Sequence, residues 1–138
     1  KTPKLYFLDT GLACYLLGIE TPQQLNRDKK RGDLFENFIV TEALKQRYNK
    51  GKDSNLFFFR DSNKNEVDLM LKHGDRFDAI EIKSAQTYNS EFEKGLKAVE
   101  KTFENRINSK TIIYAGAYEN TVGNIKLVNY KNLNTVLE

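Results

Sequence analysis

Residues 65–85, NEVDLMLKHGDRFDAIEIKSA, carry two carboxylates and an ammonium within reach of one another. The run reads as a β-hairpin that turns at His73-Gly74-Asp75. Side chains alternate along a strand, so Val67, Leu69 and Leu71 point one way and Glu66, Asp68 and Met70 the other. In the second strand Ile80 and Ile82 oppose Glu81 and Lys83. If the apolar sets share the core face, Asp68, Glu81 and Lys83 share the opposite face, on strands about 5 Å apart. Like charges about 4 Å apart repel by roughly 1 kcal/mol in water and several times that near a protein surface. A bound divalent cation removes the repulsion.

Such a group has a use in phosphodiester hydrolysis. Carboxylates hold one or two divalent cations, which polarise the scissile phosphate and lower the pKa of an attacking water. An all-oxygen ligand set favours Mg²⁺ or Mn²⁺ over zinc. Lys83 then orients the water or neutralises charge in the transition state. The E-x-K triplet alone says little, because with eleven Glu in the chain about one is expected by accident. Its context says more: Asp68 lies on the preceding strand, and Glu36 lies on an upstream helix between Phe35 and Phe38, at the border of an apolar stripe. Glu66 is either an additional ligand or an exposed strand residue. Gln86 and Tyr88 either touch substrate or cap the helix that follows.

The elements that must position these groups can be read in order. Residues 4–8 (KLYFL) form a short extended entry. Asp9 or Thr10 caps a helix running to Leu17, with Gly18 as its stop. Thr21-Pro22-Gln23-Gln24 is a capping-box start for a second short helix. The strongest helix spans 33–48, with Leu34, Phe35, Phe38, Ile39, Leu44 and Tyr48 near its apolar stripe. A strand at 55–60 pairs as a hairpin with 65–71 across the dense turn signal of 61–65, and 76–84 is the third strand. Ser90 caps a helix over 91–105 with Phe92, Leu96, Val99 and Phe103 inward and Glu93 among its water-facing residues. Strands follow at 110–115 and 125–129, and 130–137 is a terminal helix or turn. A helix between the third and fourth strands requires a parallel, right-handed crossover. The expected fold is a mixed α/β sheet flanked by helices.

At 138 residues the chain is long enough for one well-filled core. Without Trp, its nine Phe and seven Tyr must supply the bulk. A net charge of +3 is weak evidence for nucleic acid; basic runs at Arg27 with Lys29-Lys30-Arg31, and at Lys45, Arg47, Lys50 and Lys52, are either solvated helix ends or phosphate contacts. The single Cys14 excludes an internal disulfide and reads as a buried inert thiol, and the lone His73 rules out a His-rich metal site. No run is long or apolar enough to span a membrane and none reads as a signal peptide, so a cytoplasmic protein with no membrane partner is expected. The opening Lys-Thr-Pro, with no initiator Met, is expected to continue from a longer protein.

Glu36 on the first long helix, Asp68 on one strand and Glu81-Ile82-Lys83 on the next follow the order of the PD-(D/E)xK nuclease-like superfamily, which the chain resembles. The resemblance extends further. Tyr6-Phe7-Leu8-Asp9-Thr10-Gly11-Leu12, Gly32-Asp33-Leu34-Phe35-Glu36-Asn37-Phe38, Phe59-Arg60-Asp61, Asn65-Glu66-Val67-Asp68 and Glu81-Ile82-Lys83-Ser84 look like the domain of unknown function that follows the ATPase module in a family of prokaryotic AAA-type ATPases. This likeness implies a restriction-endonuclease-like sheet over 32–138, with 1–31 a helical preamble continuous with an upstream region. It implies an upstream P-loop ATPase and winged-helix segment in the same parent chain, with no nucleotide bound in this stretch. By the same likeness Glu36, Asp68, Glu81 and Lys83 are catalytic, with Asp68, Glu81 and Glu36 on Mg²⁺ or Mn²⁺ and DNA as substrate. The alternative is a nuclease-like fold that does not cut and serves as a DNA-binding, regulatory or docking module of the ATPase.

Overall fold

The computed structural model describes residues 2–137. Among them are four α-helices, α1 (Thr10–Leu16), α2 (Pro22–Arg27), α3 (Arg31–Asn49) and α4 (Lys94–Phe103). Six strands form one sheet: β1 (Leu56–Arg60), β2 (Glu66–His73), β3 (Arg76–Lys83), β4 (Ile107–Tyr114), β5 (Asn120–Val122) and β6 (Ile125–Asn129), in the order β1-β2-β3-β4-β6-β5. The β1, β2 and β3 pairings are antiparallel, β3–β4 and β4–β6 are parallel, and β5–β6 is antiparallel. The fold is therefore mixed α/β, and the crossover through α4 joins β3 and β4 as parallel neighbours. No helix among the described residues is long and apolar enough to cross a membrane.

Local chemistry explains most boundaries. Asp9 caps α1 by accepting from the Leu12 amide, and the full capping box forms at α2, where Thr21 and Gln24 bond each other's amides. The two-residue Gly74-Asp75 turn joins His73 to its partner Arg76, with Gly74 at φ +65°. Thus His73 ends a strand, with its Nε2 3.0 Å from Asp78 Oδ2. The helix expected over 91–105 is shorter and interrupted. A 3₁₀ turn occupies Ser90–Glu93, the cap is Asn89 and not Ser90, and Glu104 at φ +48° ends α4. Strand β4 starts at Ile107, and β5, which the sequence reading missed, pairs with β6 across Gly123-Asn124.

Both faces of the sheet are covered. On one, Ile39, Val40 and Ala43 of α3 pack on Leu69, Leu71, Ile80, Ile82 and Ile113. On the other, Leu96 and Val99 of α4 pack on Val67, Met70, Ala79, Ile112 and Leu127. Burying a Leu or Ile side chain fully is worth roughly 1.5–3 kcal/mol, so these two layers dominate the stability. Close approach of α4 depends on Gly95, where an added Cβ would lie 1.9 Å from the Glu66 carbonyl oxygen.

This two-sided burial corrects the expected arrangement of the hairpin. There is no single core face opposite a solvated one, and Val67 does not share a face with Leu69 and Leu71. It joins Met70 on the α4 side. Phe57 pairs with Met70 and Phe59 with Val67, so two steps along β1 match three along β2. The extra residue is a β-bulge, and it breaks the alternation at 68–69. A third cluster, Ala13, Ile19 and Leu34 with Cys14 and Leu25, holds α1 and α2 against α3. Cys14 is only partly buried there, contrary to the expected sealed thiol.

Candidate functional site

Asp68 sits at the bulge. The last β2–β3 partners towards it are Leu69 and Ile80. Beyond them the Asp68 side chain replaces the backbone ladder, its Oδ2 accepting from the Ile82 amide at 2.9 Å. A bulge re-aims one side chain and ends regular pairing, and here it delivers a carboxylate into the gap between two strands. On β3, Lys83 Nζ lies 2.5 Å from Glu81 Oε1 and 5.9 Å from the centroid of the Phe92 ring. Glu81 is 7% exposed, and its second oxygen, Oε2, is buried with no hydrogen-bond partner.

Glu36 enters from α3. Its Oε1 accepts from the Tyr6 hydroxyl at 2.7 Å and from Lys4 Nζ at 3.0 Å. Lys4 Nζ also lies 2.5 Å from Glu66 Oε1 and 3.8 Å from Asp68 Oδ1, and Arg60 binds the other Glu66 oxygen at 2.9 Å. The Asn37 side chain holds the segment bearing Lys4 and Tyr6. It accepts from the Phe7 amide at 2.7 Å and donates to the Phe7 carbonyl at 2.8 Å and to Thr10 Oγ1 at 2.9 Å. Arg31 at the start of α3 donates to the Ser84 carbonyl at 2.8 Å and so ties that helix to the end of β3.

The four sequence-derived residues, Glu36, Asp68, Glu81 and Lys83, are therefore gathered in one region, and Glu66 joins them. Charges within the region are unevenly balanced. Burial, then the nearby Glu36 charge, raises the Asp68 pKa to about 6 against the opposing Ile82 hydrogen bond. Glu81 is raised to about 7, first by burial and then by the Asp68 charge, with Lys83 opposing. Burial disfavours the charged forms of Lys4 and Lys83, but hydrogen bonds to Glu66 and Glu36 and to Glu81 respectively outweigh it, and both stay above the usual lysine value. Glu66 is held below the usual range: burial pushes it up, and Lys4 and Arg60 overcome that.

Could these residues hold Mg²⁺ or Mn²⁺? Among the described residues no three His, Cys, Asp or Glu side chains form a metal-ligand group. Mg²⁺, however, commonly takes one or two carboxylates and completes its shell with water and phosphate oxygens. Asp68 and Glu81 fit that pattern. Glu81 Oε2 is an acceptor without a donor, and the nearby Asp68 charge adds to burial in raising the proton affinity of Glu81. Glu36 is committed to Lys4 and Tyr6 in this arrangement.

The sequence reading gives no role to Lys4, Tyr6 and Asn37, and Arg31 enters it only as part of a basic run. Lys4 and Tyr6 are two residues apart in an extended run, so they share a side. No local signal tied that side to Glu36. Tyr88 donates to Glu93, which is buried and also pairs with Lys97 at 2.7 Å, so Glu93 does not face water as expected.

A family model described as a domain of unknown function, DUF4143, matches residues 31–133, from the start of α3 to the end of the fold. The chain belongs to the DUF4143 family. Two uncharacterised proteins, from Mycobacterium bovis and Mycobacterium tuberculosis, are each 33% identical to it over 87 residues, covering 63% of this chain. The matched part spans about a fifth, 19%, of each relative. No solved structure matches. In this DUF4143 member the matched region contains Glu36, Asp68, Glu81 and Lys83, whereas Lys4 and Tyr6 lie ahead of it.

Proposed function

We propose that this DUF4143 domain has a restriction-endonuclease-like fold of the PD-(D/E)xK type and hydrolyses phosphodiester bonds in DNA with Mg²⁺ or Mn²⁺. The observation that carries the reading is the unpartnered, buried Glu81 Oε2 beside Asp68, with Lys83 on the same strand. An unsatisfied buried oxygen costs about 1–3 kcal/mol, more when charged, and a cation ligand would offset that cost.

In this reading Asp68 and Glu81 hold the ion. When bound, it polarises the scissile phosphate and lowers the pKa of the attacking water. Asp68 is kept in place by the Ile82 amide, which binds Oδ2 and leaves Oδ1 on the side of Lys4, 3.8 Å from its Nζ. Lys83, anchored by Glu81, directs the water towards phosphorus and offsets charge growing on the phosphate oxygens. Glu36 orders a water at the outer side. Arg31 borders the end of β3 through the Ser84 contact, and Lys29 and Lys30 precede it in the chain, a basic run that can meet backbone phosphates. In this reading an upstream AAA-type ATPase and winged-helix region of the parent chain would deliver the domain to cytoplasmic DNA.

Calorimetric titration of Mn²⁺, followed by nicking of supercoiled plasmid with Mg²⁺ or Mn²⁺, tests the proposal. We expect metal binding, and cleavage lost in Glu81→Ala and Lys83→Ala. Absence of binding at millimolar metal would sink the nuclease reading.

One observation favours a second reading. Lys4 already sits among Glu36, Glu66 and Asp68 as a cation would. A fold that neutralises its own carboxylates could serve the ATPase as a DNA-binding, regulatory or docking module without cutting. That version predicts metal-independent DNA binding that weakens with salt, as phosphate contacts require.

A further inference from the structure

We propose that residues 4–7 form a displaceable strap whose Lys4 ammonium holds the cation position of the carboxylate cluster and must withdraw for a divalent ion to bind at full strength. The inference rests on the metal-site reading above and adds its regulation.

Three carboxylates from two elements surround Lys4 Nζ: Glu36 of α3 at 3.0 Å, and Glu66 and Asp68 of β2 at 2.5 and 3.8 Å. An ammonium in that position neutralises the same charge that would attract a metal ion. Asp68 is the group the two cations would compete for, since the proposed ion needs the Oδ1 that faces Lys4. Removing Lys4 leaves Glu36, Glu66, Asp68 and Glu81 opposed, among the described residues, by the ion pairs of Lys83 and Arg60.

The strap is built to leave. It belongs to no helix or strand, so no backbone ladder holds it. Its anchors are the paired Asn37–Phe7 hydrogen bonds and the Tyr6 and Lys4 contacts to the carboxylates. Leu5 is 88% exposed and Phe7 42%, so Tyr6, packed at the edge of the α3-side core, and Lys4, with its Nζ over the Phe58 ring, make the further contacts that release must break. A cleft of about 440 Å³ bordered by Leu5, Phe7, Leu16, Leu17 and Leu34 lies against the segment and gives it room to shift. A domain in which only a fraction of molecules have the strap released binds metal more weakly by that fraction. Linkage then requires metal to release the strap in turn.

The test is Mn²⁺ titration calorimetry on the wild type, Lys4→Met and Asn37→Ala, with folding checked by thermal melts. Amide exchange of the segment around Phe7, with and without Mg²⁺, is read by mass spectrometry. Lys4→Met keeps the aliphatic stem and should bind Mn²⁺ about tenfold or more tighter; Asn37→Ala, which loosens the strap and spares all charges, should gain less. Mg²⁺ should speed exchange at Phe7 in the wild type. Equal Mn²⁺ affinity in folded wild type and Lys4→Met overturns the strap and leaves the metal site standing. Weaker binding by Lys4→Met overturns it too, because Lys4 would then support the site. No binding by any of the three proteins overturns both the strap and the metal reading. If Lys4→Met fails to fold, unchanged Asn37→Ala affinity together with unchanged Phe7 exchange overturns the strap.

Discussion

Two ion pairs in this domain look alike and do different work. Lys83–Glu81 and Lys110–Glu100 both have N–O distances of 2.5 Å, and each has one deeply buried partner. In Lys110–Glu100 the buried member is the cation, whose side chain is 4% exposed, while Glu100 is 44% exposed and offers its other oxygen to Asn124. The Lys110 ammonium and both Glu100 oxygens each have a protein partner. In Lys83–Glu81 the buried member is the anion, one of its oxygens has no partner, and a second carboxylate, Asp68, stands near enough to raise its pKa. A close, buried ion pair is therefore a poor marker of function by itself. The marker is incomplete compensation: a buried acceptor without a donor, beside a like charge that folding could have avoided.

The largest test of this contrast is cleavage. Glu81→Gln or Lys83→Ala should reduce metal-dependent plasmid nicking at least about a hundredfold, whereas Glu100→Ala should leave the rate per folded molecule nearly unchanged. Equal losses in both pairs would erase the distinction. Stability should respond in the opposite sense. Glu100→Ala strands a buried ammonium and should cost about 3 kcal/mol in urea unfolding, while Glu81→Gln removes a buried charge that Lys83 compensates only in part and should stabilise the metal-free domain at pH 8.

The pH dependence sharpens the same point. Asp68 and Glu81 have folded pKa values of about 6 and about 7, above the usual carboxyl values of 3.8 and 4.5. The folded state thus binds more protons than the unfolded state between these limits, so stability is present at low pH and is lost as pH rises from about 4 through about 7. The groups facing the pair are Glu36, Glu66, Lys4 and Lys83; Glu36 adds to the effect at Asp68 and Glu66 at Glu81, while the two lysines oppose it. We expect a loss of several kcal/mol across that window in the metal-free protein, roughly 3 kcal/mol for either carboxyl titrating alone, read as a falling urea midpoint, and a flatter profile in Glu81→Gln. Mg²⁺ at about 100 times its Kd should restore about 2.7 kcal/mol at pH 8. The smallest expected effect is at Lys30, whose pair with Asp33 at 2.9 Å is exposed. Lys30→Ala should leave the urea midpoint nearly unchanged, yet lower the salt dependence of DNA binding by about one charge.

Much of the scaffold was legible beforehand because its signals are local. The capping box at Thr21, the 3.6-residue stripe of Leu96 and Val99, the Gly74 turn and the apolar run of β4 each rest on residues close in sequence. β5 was not legible: its three residues are all exposed and show no apolar alternation. The faces of the hairpin were misjudged for a different reason. A single inserted residue reverses every later side chain, and nothing in NEVDLML shows where a neighbouring strand will demand the extra residue.

For the site the division is the same. Residue types and order, with Glu36 on a helix, Asp68 on one strand and Glu81-x-Lys83 on the next, could be read from the chain alone, since helix and strand periods are short-range properties. Tertiary structure alone decided which charges are compensated. Lys4 meets Glu36 across 32 positions, and Arg31 meets Ser84 across 53. Coulomb energy depends on distance in space and on burial, and sequence spacing specifies neither. So the sequence supplied the carboxylates, and packing determined that Lys4 covers the outer ones while Glu81 Oε2 is left without a partner.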